Sequence, residues 1–368
     1  MVFNIAILPG DGIGPEVIDE AVRVLEAVAT RFGHELTLHK KDVGGAGLTS
    51  SGDPLPQDTS QTCLSSGAVL LGAVGAPAFD SVPRDLRPER GLLRLRRELG
   101  AFANLRPAVC FPALEDCSPL RPEVVRGADI LIVRELLGGV YFGEPRSTTG
   151  ASGSRIAVDT MRYGEPEIER IARVAFELAQ SRRRRVTSVD KANVLDCSRL
   201  WREVVTRIGK EYPDVQLRHT YVDSAAMALV AHPTNFDVLL TENMFGDILS
   251  DQAGAIVGSI GMLGSASVGG PVALYEPVHG SAPDIAGKSI ANPLGAILSV
   301  AMMLRHSFHL DAEAECVEAA VASVIGSGSR TRDLAKAGSP AISTSEMGRK
   351  VVAAIKASGA KARADMDS

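Results

Sequence analysis

Phe3-Asn4-Ile5-Ala6-Ile7-Leu8-Pro9-Gly10-Asp11-Gly12-Ile13-Gly14-Pro15-Glu16 lies at the start of the chain, and its reading decides the fold. Phe3 to Leu8 is an apolar run of strand length, and three glycines within five residues make a tight turn after it. A helix follows. Pro15 suits its first turn because proline there sacrifices no hydrogen bond, and Glu16 sets a negative charge against the positive end of the helix dipole. Val17, Ile18, Ala21, Val22, Leu25, Val28 and Ala29 then recur at three- and four-residue spacing, which predicts one buried face. A strand, a tight turn and an amphipathic helix in that order announce an α/β architecture.

The turn Gly10-Asp11-Gly12-Ile13-Gly14 has the start of a dinucleotide-binding fingerprint, but the required third glycine falls at Pro15. The pattern is broken, so the segment reads as a tight turn near a site and not as an ordinary Rossmann phosphate loop.

Further apolar runs lie outward from this unit at Ala68 to Leu71, Ile130 to Val133, Val186 to Val189 and Phe236 to Leu240. They do not alternate with polar residues, so both faces of each strand are expected to be covered. Arg134 and Glu135, then Asp190 and Lys191, then Thr241, Glu242 and Asn243 follow the last three. In open α/β sheets, ligands sit beyond the carboxyl ends of the strands, so these groups predict one shared site. Pro145 to Arg155 is rich in glycine, serine and threonine and reads as a loop or protruding arm. Arg182 to Arg185 is expected to close a helix that begins near Pro166, where cations meet the negative dipole end. The residues from about Lys356 onward are small and polar and are expected to fray.

At 368 residues the chain exceeds what one core usually fills, so two domains are expected. A net charge of −5, with 45% hydrophobic and 23% charged residues, gives no reason to expect nucleic acid or an anionic membrane as partner. The five cysteines are scattered and contain no C-x-x-C pair, which argues against a disulfide framework or a zinc site and for a reducing compartment. No basic, apolar leader is visible, and no apolar stretch approaches the roughly 20 residues that span a bilayer. A cytoplasmic location is the expectation.

Five groups of residues carry chemistry. In Phe245-Gly246-Asp247-Ile248-Leu249-Ser250-Asp251, the two acids are four apart, which puts both carboxylates on one helical face. No Lys or Arg lies within a turn to neutralise them. Either they are solvated surface acids or they hold a hard divalent cation, Mg²⁺ or Mn²⁺. Lys191 directly follows a buried strand, so it is partly desolvated and suited to acid/base work, unless it merely extends to water. Arg96, Arg106 and Arg134 bind carboxylates well, and three converging on one pocket would imply a substrate with several carboxylates. Tyr141, in Gly138-Gly139-Val140-Tyr141-Phe142-Gly143, is a phenol in glycine-rich surroundings and a candidate proton donor, with core packing as the alternative. In Gly280-Ser281-Ala282-Pro283-Asp284-Ile285-Ala286-Gly287, small residues permit close approach of a cofactor, and Asp284 could accept hydrogen bonds from a ribose.

Taken in order, these segments resemble the β-decarboxylating dehydrogenases, the family of 3-isopropylmalate, isocitrate, homoisocitrate and tartrate dehydrogenases. The likeness runs from Leu8-Pro9-Gly10-Asp11-Gly12-Ile13-Gly14-Pro15-Glu16 to the C-terminal helices. It implies a two-domain α/β fold with a mixed sheet flanked by helices. Residues 1–102 with 257–368 would form a discontinuous cofactor-binding domain. Residues 103–256 would form a central substrate, metal and dimerisation domain with an arm near 145–165. By the same resemblance Asp223, Asp247 and Asp251 are the metal ligands, and Arg96, Arg106 and Arg134 hold the malate carboxylates. Lys191 is the general base and Tyr141 the acid. Lys191 and Asp223 reach into the neighbouring subunit of a homodimer. Glu89, Glu276, His279, Gly280, Ser281, Ala282, Asp284, Ile285 and Asn292 are the NAD set.

Glu89-Arg90-Gly91-Leu92-Leu93-Arg94-Leu95-Arg96 resembles the isopropylmalate branch, in which Leu92, Leu93 and Val194 would face the alkyl group. A third substrate carboxylate against two leucines would be costly. Asp284-Ile285 resembles the NAD-using pattern. One methylene in an apolar pocket is worth only about 1–3 kcal/mol, so malate, tartrate or longer alkylmalates remain alternative substrates. A non-catalytic binder on the same fold is a distant alternative.

Overall fold

The structure is a computed structural model that describes residues 1–150 and 154–366, apart from the side chains of 359–366. The chain is α/β throughout and divides into two compact units. One comprises Met1–Ala101, Phe111–Pro119 and Val257–Ser368, and the other comprises Phe102–Cys110 and Leu120–Ile256.

In chain order, the strands of the first unit are β1 (Val2–Gly10), β2 (Glu35–Lys40) and β3 (Ala68–Ala73). The second unit contributes β4 (Ala103–Val109), β5 (Asp129–Glu135), β6 (Ser147–Thr149), β7 (Ile156–Val158), β8 (Arg185–Asp190), β9 (Gln216–Tyr221) and β10 (Val238–Thr241). The first unit closes with β11 (Gly264–Val268) and β12 (Leu274–Pro277). Its helices are α1 (Gly14–Phe32), α2 (Gly45–Ser51), α3 (Gln57–Ser65) and α4 (Pro88–Glu98). The second unit holds α5 (Pro122–Val125), α6 (Glu165–Gln180), α7 (Asp196–Gly209), α8 (Val222–Ala231) and α9 (Asn243–Ile256). The first unit resumes with α10 (Leu294–His306), α11 (Asp311–Gly326) and α12 (Thr344–Met366).

The strands of the first unit run β2-β1-β3-β12-β11. The first four are parallel to their neighbours, and β11 is antiparallel to β12. Every residue of β3 is buried, as its unbroken apolar run requires. Leu8 pairs with Leu71, and both join a core with Val43, Leu55, Leu95 and Leu274. α1 starts as expected, with Pro15 and Glu16 in its first turn, and ends at Gly33 in the left-handed conformation, whose N–H bonds Ala29 O.

The turn at Gly10 is structural. Its φ is +72°, and a Cβ there would lie 1.9 Å from Ala73 O, so only glycine fits. Asp11 N bonds Ala73 O, Ile13 N bonds Ser281 O, and Gly14 N bonds Asp11 O. The amides that a phosphate loop would offer to a ligand are therefore spent inside the protein. The Asp11 carboxylate in turn accepts from Gly45 N, Ala46 N and Gly75 N, which pins three loops together.

Three features differ from the sequence reading. Phe111–Pro119 clusters with the terminal segments rather than with the central one. Arg330 donates to Ala113 O, Cys117 Sγ to Leu334 O, and Lys336 pairs with Asp116 at 2.7 Å. α12 continues past Lys356 to Met366 instead of fraying, since Ala, Lys and Arg are good helix formers there, and Arg31 is tied to Ile355 O and Ser358. Finally, Arg182 to Arg185 do not close a helix. α6 ends at Gln180, Arg184 adopts φ +57°, and Arg185 opens β8. Asp129 and Asp237 draw Arg182 and Arg183 away, and side-chain ion pairs outweigh the dipole term.

In the second unit the order is β4-β5-β10-β8-β9. β4 is antiparallel to β5, and the other neighbours are parallel. The carboxyl ends of β5, β10, β8 and β9 therefore line one edge. Arg134 is on β5, Asn243 and Asp247 follow β10, Lys191 follows β8, and Asp223 follows β9. Beyond β5 the chain makes a short 3-10 turn, Gly139–Tyr141. The arm pairs β6 with β7, antiparallel and wholly exposed, so part of the expected loop is a hairpin; residues 151–153 of that stretch lie outside the described ones.

Candidate active site

α9 carries the two acids, and its start is built by its flanks. Glu242, last before the helix, caps it by accepting from Met244 N and Phe245 N. Gly246 allows α9 to lie on β5. A Cβ there would meet Thr241 Oγ1 at 2.3 Å and Arg134 Cγ at 2.7 Å. Arg134 can thus run beneath the helix to reach Asp247.

Asp247 is the point of convergence in this unit. Its Oδ1 takes Arg134 Nη1 and, at 3.3 Å, Arg106 Nη1, while Tyr141 Oη donates to its Oδ2 at 2.8 Å. Arg106 Nη1 also reaches Ser250 Oγ at 2.7 Å and Asp251 Oδ1 at 3.5 Å. Arg134 and Arg106 are 1% and 6% exposed, whereas the side chains of Asp247 and Asp251 are 34% and 56% exposed. Two cations stand beneath two anions at the strand ends. The repulsion between acids four apart is thus met from β4 and β5, not from the helix itself, which a search within one turn could not reveal.

Burial pushes the Asp251 carboxyl above the usual range, and the Asp247 charge adds to it, while Arg106 opposes. Burial, then the same Asp247 charge, raise the Tyr141 phenol to about 12. It is protonated throughout the neutral range, with the Arg134 guanidinium 5.6 Å from its ring centre. Burial likewise raises Glu135 and Glu242, against the backbone amides they accept from.

Lys191 Nζ pairs with Asp223 Oδ1 at 2.9 Å. The lysine side chain is 27% exposed, and the bond holds the Asp223 carboxyl low. Among the described residues, no three His, Cys, Asp or Glu side chains gather into a metal site. A single chain therefore does not bring Asp223 together with Asp247 and Asp251. Val194, in the turn after Lys191, is exposed.

The first unit holds the remaining expected residues. Arg96 Nη2 pairs with Glu276 Oε1 at 2.6 Å, both buried, while Arg96 Nε has no partner. Leu92 and Leu93 on α4 are half-buried, and Leu92 packs partly on the core. A Cβ on Gly75 would lie 3.0 Å from Ser281 Oγ and 3.4 Å from Glu89 Oε1, so these two side chains border one small space. Ala282 adopts φ +39° at the head of the loop, Gly280 has open space around it, Asp284 is exposed and Ile285 is half-buried. His279 Nδ1 faces Gly280 O at 2.9 Å and so carries the proton, which leaves Nε2 a buried acceptor without a partner. Burial pushes its pKa down, so the ring is neutral. Asn292, by contrast, has structural partners. It bonds Asp333 and accepts from Leu294 N at the start of α10.

The sequence reading passed over Asn104 and Ser250, and it named Asn243 only as one of the polar groups at the strand edge. Asn104 Oδ1 accepts Arg106 Nε at 2.7 Å. Its two-residue spacing from Arg106 on a strand, which puts both on one face, is the signal that could have found it.

The family model for isocitrate/isopropylmalate dehydrogenase matches residues 4–351. The 3-isopropylmalate dehydrogenase of Geobacillus kaustophilus is 56% identical over 96% of this chain and 95% of its own length. That of Aquifex aeolicus is 52% identical over 95% and 96%. Among solved structures, isocitrate dehydrogenase from Methylococcus capsulatus aligns with a TM-score of 0.86 at 36% identity, covering 95% of this chain and 98% of its own. A β-decarboxylating dehydrogenase from Thermococcus kodakarensis aligns at 0.76 and 39%, covering 96% of each chain. A match of this length and identity, over a chain that brings Arg106, Arg134, Tyr141, Asp247 and Asp251 together, makes the chain a member of the isocitrate/isopropylmalate dehydrogenase family.

Proposed function

We propose that this chain catalyses the NAD-dependent oxidative decarboxylation of (2R,3S)-3-isopropylmalate to 4-methyl-2-oxopentanoate and CO₂, in leucine biosynthesis. The observation that carries the reading is the meeting of Arg106, Arg134 and Tyr141 on Asp247. Two guanidiniums and the Asp247 and Asp251 carboxylates sum to zero charge. A divalent cation together with a dicarboxylate adds zero again, so the site can take both without an uncompensated buried charge. The donors fit a hard cation, being carboxylate oxygens only.

Bound at Asp247 and Asp251, Mg²⁺ or Mn²⁺ would supply Lewis-acid polarisation of the C2 oxygen, and NAD would supply the hydride acceptor. Arg106 and Arg134, with Arg96, hold the malate carboxylates. Lys191 takes the proton of the C2 hydroxyl as hydride leaves C2. The resulting ketone is β to a carboxylate, so CO₂ departs with its bonding pair left on C3. Tyr141, kept protonated by burial and by Asp247, returns one proton to C3. One proton is taken and one is given, so the reaction balances.

The NAD site is proposed at Glu89, Glu276, His279 to Ala282, Asp284 and Ile285, supported by the orphaned His279 Nε2 and the open space at Gly280. Asn292 would shape this site through Asp333. Leu92, Leu93 and Val194 are proposed to take the isopropyl group.

The working unit is proposed to be a homodimer in which Lys191 and Asp223 serve the neighbouring site. Asp223 stands apart from the other two acids in one chain, and Met227 and Val230 on α8 and Ile248 on α9 are exposed apolar side chains. No described helix is long and apolar enough to cross a membrane; the cytoplasm is proposed as the location.

NADH formation with Mg²⁺ on 3-isopropylmalate, D-malate and isocitrate tests the reading. The highest kcat/KM is expected for 3-isopropylmalate. Faster turnover of either other diacid would reassign the pocket.

A further inference from the structure

Asn243 is the first residue of α9 and is fully buried. Its Oδ1 accepts from both Nε and Nη2 of Arg134, at 3.0 and 2.8 Å. Its Nδ2 donates to Leu136 O at 3.1 Å and to Gly138 O at 3.0 Å. Its backbone N–H donates to Tyr163 Oη at 2.9 Å. Every hydrogen-bonding position of the amide is filled, and the orientation is unambiguous, because only the oxygen can face a guanidinium and only the NH₂ can face two carbonyls.

The consequence lies at the two ends of this bridge. By occupying the Nε edge of Arg134, the amide oxygen fixes the guanidinium plane and leaves Nη1 directed at Asp247. The amide nitrogen holds the segment from Leu136 to Gly138, which leads directly into the 3-10 turn bearing Tyr141. That phenol bonds the other oxygen of the same Asp247. The four residues form a closed ring from Asn243 through Arg134 and Asp247 to Tyr141 and back along the turn.

We infer that Asn243 is a positioning residue that sets the carboxylate-binding edge of Arg134 and the proton-donating reach of Tyr141 through one amide. This rests on the reading of Arg134 as a substrate ligand and of Tyr141 as the proton donor. The two halves of the amide separate chemically. Asn243→Asp keeps an oxygen for Arg134 but sets a second oxygen against the carbonyls of Leu136 and Gly138. Asn243→Leu removes both halves with little change of shape.

The test is a steady-state comparison on 3-isopropylmalate with NAD and Mg²⁺, with thermal unfolding to confirm that each variant folds. Turnover by the parent enzyme checks the underlying reading on its own, and differences among variants check Asn243. Asn243→Leu is expected to raise KM for the diacid roughly 10- to 100-fold, the range for losing hydrogen bonds to a charged group, with KM for NAD unmoved. Asn243→Asp is expected to lower kcat with a smaller change in KM. In an Arg134→Lys background, which cannot make the fork, either substitution should add no further increase in KM for the diacid. Should the leucine variant fail to fold, Asn243→Ala, which also removes the oxygen that Arg134 bonds, carries the same cycle. An unchanged diacid KM in the folded variants, or KM losses that multiply in the double variant, would overturn the inference.

Discussion

The acid–arginine cluster around Asp247 and the glycine turns around Gly10, Gly75 and Gly280 are built on opposite plans. The first is made of side chains, each fixed by a named partner: Asn104 and Ser250 on Arg106, Asn243 on Arg134, Asp247 on Tyr141. The second is made of backbone, shaped by glycines and by amides tied to Asp11 and to Ser281 O, and it retains a polar atom without a partner at His279 Nε2. A side-chain site fails when one chemical group is removed, whereas a backbone site fails when a Cβ is added. The contrast therefore predicts which substitutions damage chemistry and which damage folding or cofactor choice.

The largest effect should come from Lys191→Met. Losing a general base typically costs about 10²–10⁴-fold, so kcat should collapse over that range while NAD affinity, measured by fluorescence titration, stays near the parent value. Turnover close to the parent would remove Lys191 from the mechanism. Next is Gly10→Ala, where a left-handed φ and an approach of 1.9 Å to Ala73 O combine. We expect a loss of at least about 3 kcal/mol of stability in denaturant unfolding. A loss under about 1 kcal/mol would mean that the turn relaxes freely.

Replacing Asp284-Ile285 by Lys-Tyr should move the ratio of kcat/KM for NAD over NADP toward NADP by roughly tenfold or more, because Asp284 would repel a 2′-phosphate. An unmoved ratio would place the ribose elsewhere. The smallest effect concerns alkaline pH. Tyr141 ionises near 10 when unfolded and near 12 when folded, so its contribution to stability is full below pH 10 and is lost as pH rises toward 12. Tyr141→Phe should flatten the decline of unfolding free energy across that window. An identical slope in parent and variant would show that folding does not raise the Tyr141 phenol.

The two regions were also unequally legible. The strands at Ala68, Ile130, Val186 and Phe236 were readable because runs buried on both faces need no alternation. The start of α1 was readable because Pro15 and Glu16 act locally. Arg106, Arg134, Tyr141, Asp247 and Asp251 could be singled out by residue type, and it was the family resemblance that implied one shared site for them. Asn243 could be placed at the strand edge but given no role, and Asn104 was missed, since what a neutral amide does is fixed only by its partners, up to 109 residues away in sequence for Asn243. Phe111–Pro119 and the Arg182–Arg185 run misled the reading for the same reason. Arg330, Lys336, Asp129 and Asp237 decide where those segments lie, and each acts across a long sequence separation.

The central claim is that Asp247 unites diacid, cation and arginines. Calorimetric titration of Mn²⁺ into the enzyme, with and without 3-isopropylmalate, tests it most directly. Mn²⁺ should bind more tightly when the diacid is present, and Asp247→Asn should abolish that gain. Equal Mn²⁺ affinity with and without the diacid, or a gain that survives Asp247→Asn, would contradict the account.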